Sequence, residues 1–199
     1  MMRYDLWMSI CFVCCLACST PEDQTQTQQL PSASRIEIPE IHVFFPDSSL
    51  TREGPLMLRN GEPFSGYLFQ TYISGQQKSK HPYFQGRKHG TSLAWYPDGT
   101  PEFERKYEHG KKTDVHLGWW PDGQKKFEFH FVKGEHHGAA IEWYASGKLY
   151  KEFHYEFGQE SGSQKMWEED GQIRANYVVR NGRQYGLTGA KPCVSVMEE

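Results

Sequence analysis

The sequence GTSLAWYPDG at residues 90–99 returns as DVHLGWWPDG at 114–123, GAAIEWYASG at 138–147 and GSQKMWEEDG at 162–171. The step between these copies is 24 residues. One tryptophan and one glycine keep the step in every copy, namely Trp95, Trp119, Trp143, Trp167, Gly99, Gly123, Gly147 and Gly171. Self-similarity at a fixed period is typical of stacked structural repeats. The stretch 83–186 is therefore predicted to be an array of regular repeats.

Each repeat is predicted to hold two strands and two tight turns. The longer strands are expected at 101–108, 125–132, 149–156 and 173–179. Glycines supply the positive φ that tight hairpin turns need, and connections of about four to six residues require antiparallel neighbours. Aromatic and β-branched residues alternate with polar ones between the turns. The sequence thus predicts an all-β fold, an elongated antiparallel meander of β-hairpin repeats, with about 11 to 13 strands in one twisted sheet.

Alternation with period two assigns residues to the faces of this sheet. The four repeat tryptophans are expected to pack as core together with the phenylalanines of the longer strands, such as Phe127 and Phe129. The other face should then carry Glu104, Glu128 and Glu152 beside a basic row. Like-charged carboxylates in a row are tolerable only in water and next to basic groups.

The residues around the regular repeats divide into shorter parts. Residues 35–82 are expected to hold opening strands and a degenerate first repeat, with Pro39 confining 36–45 to a sheet edge. Strands at 56–58 and 67–72 should form a hairpin around Asn60-Gly61. Residues 187–199 are predicted to be a C-terminal cap and tail that contains Cys193.

The first 34 residues have the pattern of an export signal followed by a spacer. The apolar run LWMSICFVCCLA at 6–17 is too short to span a bilayer and suits a signal peptide over 1–17. The segment Cys15-Leu16-Ala17-Cys18 resembles a bacterial lipobox, which implies that Cys18 is lipidated and anchors the chain. A plain secretory signal, a buried apolar helix and modification of Cys15 are the alternatives. Residues 18–34 are small and polar, which predicts a flexible tether.

Composition and motifs argue against several functional classes. The net charge of -3 and the isoelectric point near 6.3 do not favour nucleic acid as a partner. No nucleophile elbow, phosphate-binding loop or metalloprotease motif occurs, so no catalytic residue and no cofactor are assigned.

Equivalent residues of successive repeats lie about 10 Å apart, two strand spacings, which is too far for His130 and His154 to share one ion. We therefore assign no metal site.

One row of aromatic residues is the best candidate for a binding surface. Tyr96, Trp120 and Tyr144 follow the repeat tryptophans directly and therefore have the opposite parity. If the tryptophans are core, these three rings should face outward. Together with the basic row they form the candidate exposed binding face, whose members are Tyr96, Trp120, Tyr144, Lys106, His130 and His154.

The pattern Trp/Tyr-x-x-Gly, aromatic strand, Gly-x-x-x-Gly resembles the variant MORN repeat, and the array from Phe64 to Gly186 resembles the YwqK-type proteins often labelled as antitoxin components. Asp114 departs from the pattern, since the other repeats have glycine there, and its turn is expected to differ slightly.

The resemblance implies a binding scaffold linked to membranes and protein partners. Together with the lipobox-like N-terminus, this scaffold favours a non-enzymatic lipoprotein of the bacterial cell envelope that binds a protein or surface ligand. Ser19 after Cys18 resembles an outer-membrane sorting signal. The alternatives are an immunity-type binder of a protein toxin and a periplasmic metal-handling accessory.

Overall fold

The computed structural model of the protein describes residues 36–189, which fold into sixteen β-strands. The strands are β1 (His42–Phe45), β2 (Leu50–Glu53), β3 (Leu56–Arg59), β4 (Glu62–Pro63), β5 (Gly66–Thr71), β6 (Gln77–Phe84), β7 (Arg87–Lys88), β8 (Gly90–Trp95), β9 (Pro101–Glu108), β10 (Lys111–Trp119), β11 (Lys125–Val132), β12 (Glu135–Trp143), β13 (Leu149–Glu156), β14 (Gln159–Trp167), β15 (Ile173–Arg180) and β16 (Arg183–Leu187). The predicted all-β class is confirmed. In this part of the chain no helix is long and apolar enough to cross a membrane.

Thirteen of the strands form one sheet in the order β1-β5-β6-β8-β9-β10-β11-β12-β13-β14-β15-β16, with β7 also paired to β6. From β5 onward every strand in this path pairs antiparallel with its neighbours. The predicted meander of about 11 to 13 strands is therefore confirmed. Its exception is β1, which runs parallel to β5 along the sheet edge.

The two edges of the meander use different turns. Along one edge each turn has two residues with positive φ, as at His109 (46°) and Gly110 (83°), which is the backbone of a type I′ turn. Along the other edge, Tyr96 and Thr100 close a Pro-Asp-Gly loop whose Gly99 has φ 88°. Asp98 Oδ1 accepts bonds from both the backbone amide and the hydroxyl of Thr100. We call these edges the type I′ edge and the loop edge.

The strand register corrects the expected assignment of the faces. Gly118 pairs with Phe127, whereas Leu117 pairs with Glu128. Paired residues project to the same side of a sheet, so the phenylalanines lie opposite the tryptophans. The phenylalanine face carries Phe103, Phe127, Phe129, Phe131 and Phe153, and the tryptophan face carries Trp95, Trp119, Trp143 and Trp167 together with Glu104, Glu128 and Glu152. The tryptophans and phenylalanines therefore do not form the single core face that we expected.

The opening region also differs from the prediction. Strand β3 pairs with β2 and β4 in a separate three-stranded sheet, while β5 pairs with β6 and β1. The predicted hairpin between 56–58 and 67–72 is therefore wrong. Asn60-Gly61 does form a tight turn, but this turn leads into the short strand β4, which ends the pairing before β5 begins.

The small sheet and the last strands create two apolar clusters. Val43, Phe64, Leu68 and Tyr83 form the first cluster, against which Leu50 and Met57 of the small sheet pack. The second cluster consists of Phe153, Ala175, Tyr177 and Val179, with Tyr155 and Met166 beside it. Both clusters use the phenylalanine face, one at each end of the array.

Asp114 keeps the backbone that the other repeats obtain from glycine. Its φ is 57°, and the glycines at the equivalent positions Gly90, Gly138 and Gly162 have φ values of 88°, 91° and 72°. Asp114 lies inside β10 at the register shift with β9, and not in a turn as expected. Its φ is only slightly smaller than those of the glycines, because aspartate tolerates the left-handed conformation better than most residues. The expected signal peptide, Cys18, the tether and Cys193 lie outside the described residues.

Candidate binding surfaces

Aromatic residues at the loop edge connect one repeat to the next. The Tyr96 hydroxyl donates a hydrogen bond of 2.9 Å to the carbonyl oxygen of Trp119. The same contact joins Tyr72 to Trp95, Trp120 to Trp143 and Tyr144 to Trp167, at 2.8, 3.2 and 2.9 Å. We call this row the aromatic clasps. Three of the proposed surface residues, Tyr96, Trp120 and Tyr144, are thus half-buried structural contacts between repeats.

The three basic candidates form a different row. Thr91 pairs with Lys106, Val115 with His130 and Ala139 with His154, all on the tryptophan face. Lys106 lies ten residues beyond Tyr96 and five beyond Pro101, which pairs with Trp95, so about 17 Å of strand separates the rows. The structure therefore does not bring the six candidates together into one site.

The repeat tryptophans contribute to the tryptophan face without being fully buried. All four are half-buried, and none belongs to either apolar cluster. Each of their carbonyl oxygens accepts an aromatic clasp. Any residue offers this carbonyl oxygen, so the clasps depend on the repeat register and not on the indole rings. The four loop glycines, Gly99, Gly123, Gly147 and Gly171, all have positive φ in the adjoining loops.

The middle of the phenylalanine face holds a cleft that sequence reasoning missed. Six residues line about 130 Å³ of space: Arg105, Lys112, His116, Phe127, Phe129 and Phe131. We call it the basic cleft. It lies between the two apolar clusters along the sheet, since β9, β10 and β11 are the central strands of the array. Three of its six side chains can carry positive charge.

Backbone register explains why the cleft has a flat aromatic floor. Gly118 pairs with Phe127, and a Cβ placed on Gly118 would lie 2.1 Å from the ring of that phenylalanine. The ring therefore lies directly against the backbone of β10. Phe127 stacks on Phe129 at 4.8 Å with an angle of 15° between the ring planes. Glycine at this position is what allows the two rings to lie side by side on the strands.

The cations of the cleft rest on aromatic rings. The Arg105 guanidinium carbon is 4.2 Å from the ring centre of Phe103 and 5.6 Å from that of Phe127. Lys112 Nζ is 4.6 Å from the centre of Phe131. One repeat earlier, Lys88 Nζ lies 5.2 Å from the centre of Tyr107. Cation–π attraction holds such groups in place and leaves their donors available to a ligand.

No carboxylate of the described chain neutralises these cations. The five salt bridges within residues 36–189 involve other groups, and none includes Lys88, Arg105 or Lys112. Burial lowers the pKa of Lys112, and the charge of Arg105 adds to the effect. Burial likewise lowers the pKa of Lys88, with Arg105 and Arg52 acting in the same direction. The positive charges of this face therefore repel one another.

His116 closes the bottom of the cleft. It is 2% exposed, and its Nε2 donates a 2.8 Å hydrogen bond to the carbonyl oxygen of Lys106. That carbonyl lies where the β9–β10 register shifts. Two repeats later, the buried Gln164 side chain donates an equivalent 2.8 Å hydrogen bond to the carbonyl oxygen of His154. This bond lies beside the register shift between β13 and β14. These buried side chains bind backbone groups next to the irregularities, as buried polar groups require.

Histidines on this face are held neutral by their surroundings. Burial lowers the pKa of His81 to about 4, and the charges of Lys88 and Arg105 add to that effect. Burial also lowers the pKa of His116 and of His136. At neutral pH the charge of the face therefore comes from its arginine and lysine residues.

The other histidines do not assemble into a metal centre. In the part of the chain from 36 to 189, no three His, Cys, Asp or Glu side chains are placed to hold one ion. The rings of His89 and His109 are 5.0 Å apart, but His89 Nδ1 accepts a bond from the backbone amide of His109. That ring nitrogen is therefore occupied by a hydrogen bond between repeats.

One sequence signal could have indicated the basic cleft. Lys88, Lys112 and His136 follow the 24-residue step and place a basic group on the phenylalanine face of three successive repeats. Arg105 lies beside Lys106 in the sequence, but the two project to opposite faces. The signal is recognisable only once the faces have been assigned.

Comparison with known families identifies the repeat itself. The MORN repeat variant matches residues 88–109 and 137–156, each about one repeat in length. The first match runs from Lys88 through β8 and β9, and the second covers β12 and β13. The chain thus carries a MORN repeat scaffold. No curated protein matches the sequence.

Proposed function

We propose that the protein is a non-enzymatic lipoprotein of the bacterial cell envelope whose MORN repeat scaffold binds a partner protein. The observation that carries the proposal is the uncovered middle of the large sheet. Within residues 36–189 the only further layer is the small sheet, which packs near Tyr83 at one end. The half-buried aromatic rings of the central repeats face outward on both sides, and exposed aromatic surface is typical of a protein interface.

The anchoring part of the proposal is supported by the sequence pattern at the N-terminus. An apolar run at 6–17 precedes Cys18, and a polar spacer follows to residue 34. Diacylation together with N-acylation would give several acyl chains on one cysteine, enough for stable membrane attachment. The spacer would hold the scaffold away from the bilayer, and Ser19 favours the outer membrane as the destination.

Metabolic labelling tests the anchor. Cells expressing the full-length chain are grown with a radioactive or clickable palmitate, and the labelled protein is followed in membrane fractions. Cys18→Ser should abolish both the label and membrane association. Cys15→Leu, which places the usual lipobox leucine there, and Cys193→Ser should keep both. Label that persists in Cys18→Ser would contradict the assignment of the anchor.

Site-specific photo-crosslinking tests the binding role in cells that express the anchored protein. A benzoylphenylalanine at Phe127 samples the phenylalanine face, and one at Trp119 samples the tryptophan face. The proposal expects one discrete adduct from a central position, absent when the crosslinker replaces the exposed Tyr185 at the last strand. Equal adduct patterns at all three positions, or none, would refute a specific protein partner.

The resemblance of the repeats to YwqK-type proteins favours a second candidate, in which the partner is a protein toxin. The same adduct distinguishes the two readings, because its mass spectrum identifies the captured protein. Protection of cells from that captured protein by the scaffold would favour the immunity-type role. For the metal-handling alternative, elemental analysis of the purified full-length chain is the direct test.

A further inference from the structure

We propose that the basic cleft and the neighbouring Lys88 form a docking site for an extended acidic segment of the partner protein. The inference deepens the proposed function and rests on it, since it specifies the face and the chemistry of the partner. The observation that carries it is the placement of Lys88, Arg105 and Lys112 on one aromatic floor without a carboxylate from residues 36–189.

Charge complementarity selects an anionic ligand. Lys88 and Arg105 are half-buried and Lys112 is exposed at the rim. Cations that repel one another are stabilised when an anion approaches, and the gain at the two half-buried groups exceeds that at a fully hydrated surface. The chain as a whole is slightly acidic, with a net charge of -3, so this patch contrasts with the average surface. A guanidinium stacked on Phe103 still presents the N–H groups of its edge, which suit a carboxylate.

The size and shape of the cleft favour side chains over a bulky headgroup. Its volume of about 130 Å³ is lined by three phenylalanine rings and His116, with Arg105 and Lys112, and the recess is open to solvent on one side. This space suits the carboxylate and methylene groups of one glutamate, with the rings covering the methylenes. A flat bilayer surface would meet the rim of such a recess, whereas an extended chain can insert one side chain into it.

The spacing of the cations fits an extended polypeptide. Lys88 and Lys112 occupy equivalent positions in successive repeats. Lys88 ends β7, which leads directly into β8, and β9 separates β8 from β10, the strand that carries Lys112. Two strand spacings amount to about 10 Å. Side chains three residues apart in a polyproline-type segment lie about 9 Å apart on one side. Acidic residues at every third position of the partner segment would therefore meet Lys88 and Lys112, with Arg105 between them.

Fluorescence anisotropy of a labelled deca-glutamate peptide with the full-length protein in detergent tests this site. Arg105→Gln combined with Lys112→Gln should weaken binding by about tenfold or more. Lys106→Gln combined with Lys165→Gln is the matched control. It removes the same charge from the same sheet, but both residues lie on the tryptophan face. The control should stay within about twofold of the wild-type affinity, and equal losses in both double variants would overturn the proposal.

Chemical footprinting keeps the test valid if the cleft variant misfolds. Wild-type full-length protein is acylated at its amines with and without deca-glutamate, and each lysine is read by mass spectrometry. The peptide should slow acylation of Lys88 and Lys112 and leave Lys106 and Lys165 unchanged. Protection confined to the tryptophan face, or absent altogether, would contradict the site.

Two further probes separate the ligand classes. Deca-lysine should not bind, and vesicles containing phosphatidylglycerol should not compete with the peptide. Vesicles that bind through Arg105 and Lys112 while the peptide does not would overturn the acidic-segment proposal in favour of a lipid.

If a central crosslink forms in cells but the peptide tests fail, only the chemistry assigned to the partner is wrong. If no crosslink forms at any position while the peptide still binds the cleft, the proposed cellular role is wrong instead.

Discussion

The hydroxyl of Tyr96 donates to the carbonyl oxygen of Trp119, 23 residues ahead in the chain and one repeat along the sheet. The same step recurs at Tyr72, Trp120 and Tyr144. At the type I′ edge a second connection repeats, in which the amide of Gly110 donates to the carbonyl oxygen of Lys88, and Gly134 to Lys112, at 2.8 Å each. Both edges of the array are therefore bonded between repeats in addition to the strand ladder.

We predict that Tyr96→Phe lowers the free energy of unfolding by about 0.5–1.5 kcal/mol, the net contribution of one intramolecular hydrogen bond. The ring remains, so packing at the loop edge is preserved. Chemical denaturation monitored by tryptophan fluorescence measures the change. Tyr185→Phe, at an exposed position in β16, is the control and should have little effect. Identical stability of Tyr96→Phe and wild type would show that the clasp contributes nothing.

Gly118→Ala should destabilise the protein by about 1–3 kcal/mol, the usual cost of forcing extra volume into a packed site. The new Cβ would lie 2.1 Å from the Phe127 ring, so the ring must move. Thermal unfolding compares the variant with Gly118→Ala/Phe127→Ala. When the ring is absent, in the Phe127→Ala background, Gly118→Ala should change the unfolding free energy very little. An equal cost in both backgrounds would show that the ring is not the cause.

Asp114→Gly should leave stability unchanged or raise it by up to about 1 kcal/mol, because Asp114 has a positive φ that costs glycine little. Asp114→Val should lower stability by about 1–3 kcal/mol, since a β-branched residue is strained at positive φ. Denaturant midpoints of the two variants provide the measurement. Reversal of their order would mean that the aspartate side chain, and not the backbone, matters at this position.

Stability should fall as the pH is lowered from about 6.5 toward 4. The pKa of His81 is near 4 in the folded protein and near 6.5 when unfolded, so within this range the unfolded chain binds more protons. Protonation then favours unfolding, and the loss is complete below the folded pKa. His116 and His136 act in the same direction, because burial lowers the pKa of each.

Melting temperatures measured between pH 7.5 and 4.5 test this dependence. His81→Phe should weaken the dependence, because phenylalanine cannot take up a proton and can still stack near Phe103, whose ring is 6.4 Å from that of His81. Exposed Ile73→Phe, which introduces a ring without removing a titratable group, is the control and should keep the wild-type slope. A slope unchanged in His81→Phe would remove this histidine from the explanation.

The repeat, the positions of the turns and the longer strands of the regular repeats could be predicted from the sequence. The type I′ turns are shorter than expected, with two residues where about four to six were predicted. The 24-residue step identifies the repeat, and the backbone requirements of glycine at Gly99 or Gly110 place the turns. The predicted strands at 101–108, 125–132 and 149–156 have the bounds observed for β9, β11 and β13. These features depend on local interactions, so local sequence determines them.

Only the tertiary structure decided which strand faces coincide. Alternation within one strand sorts its side chains onto the two faces of the sheet. Which side chains of the neighbouring strand share each face depends on turn length and on register shifts such as that between Ala94 and Trp95. A shift of one residue exchanges the sides, and this places Phe127 opposite the tryptophans and Arg105 opposite Lys106. The clasp of Tyr96 and the grouping of Arg105, Lys112 and His116 depend on the register between strands, because they join residues from different strands.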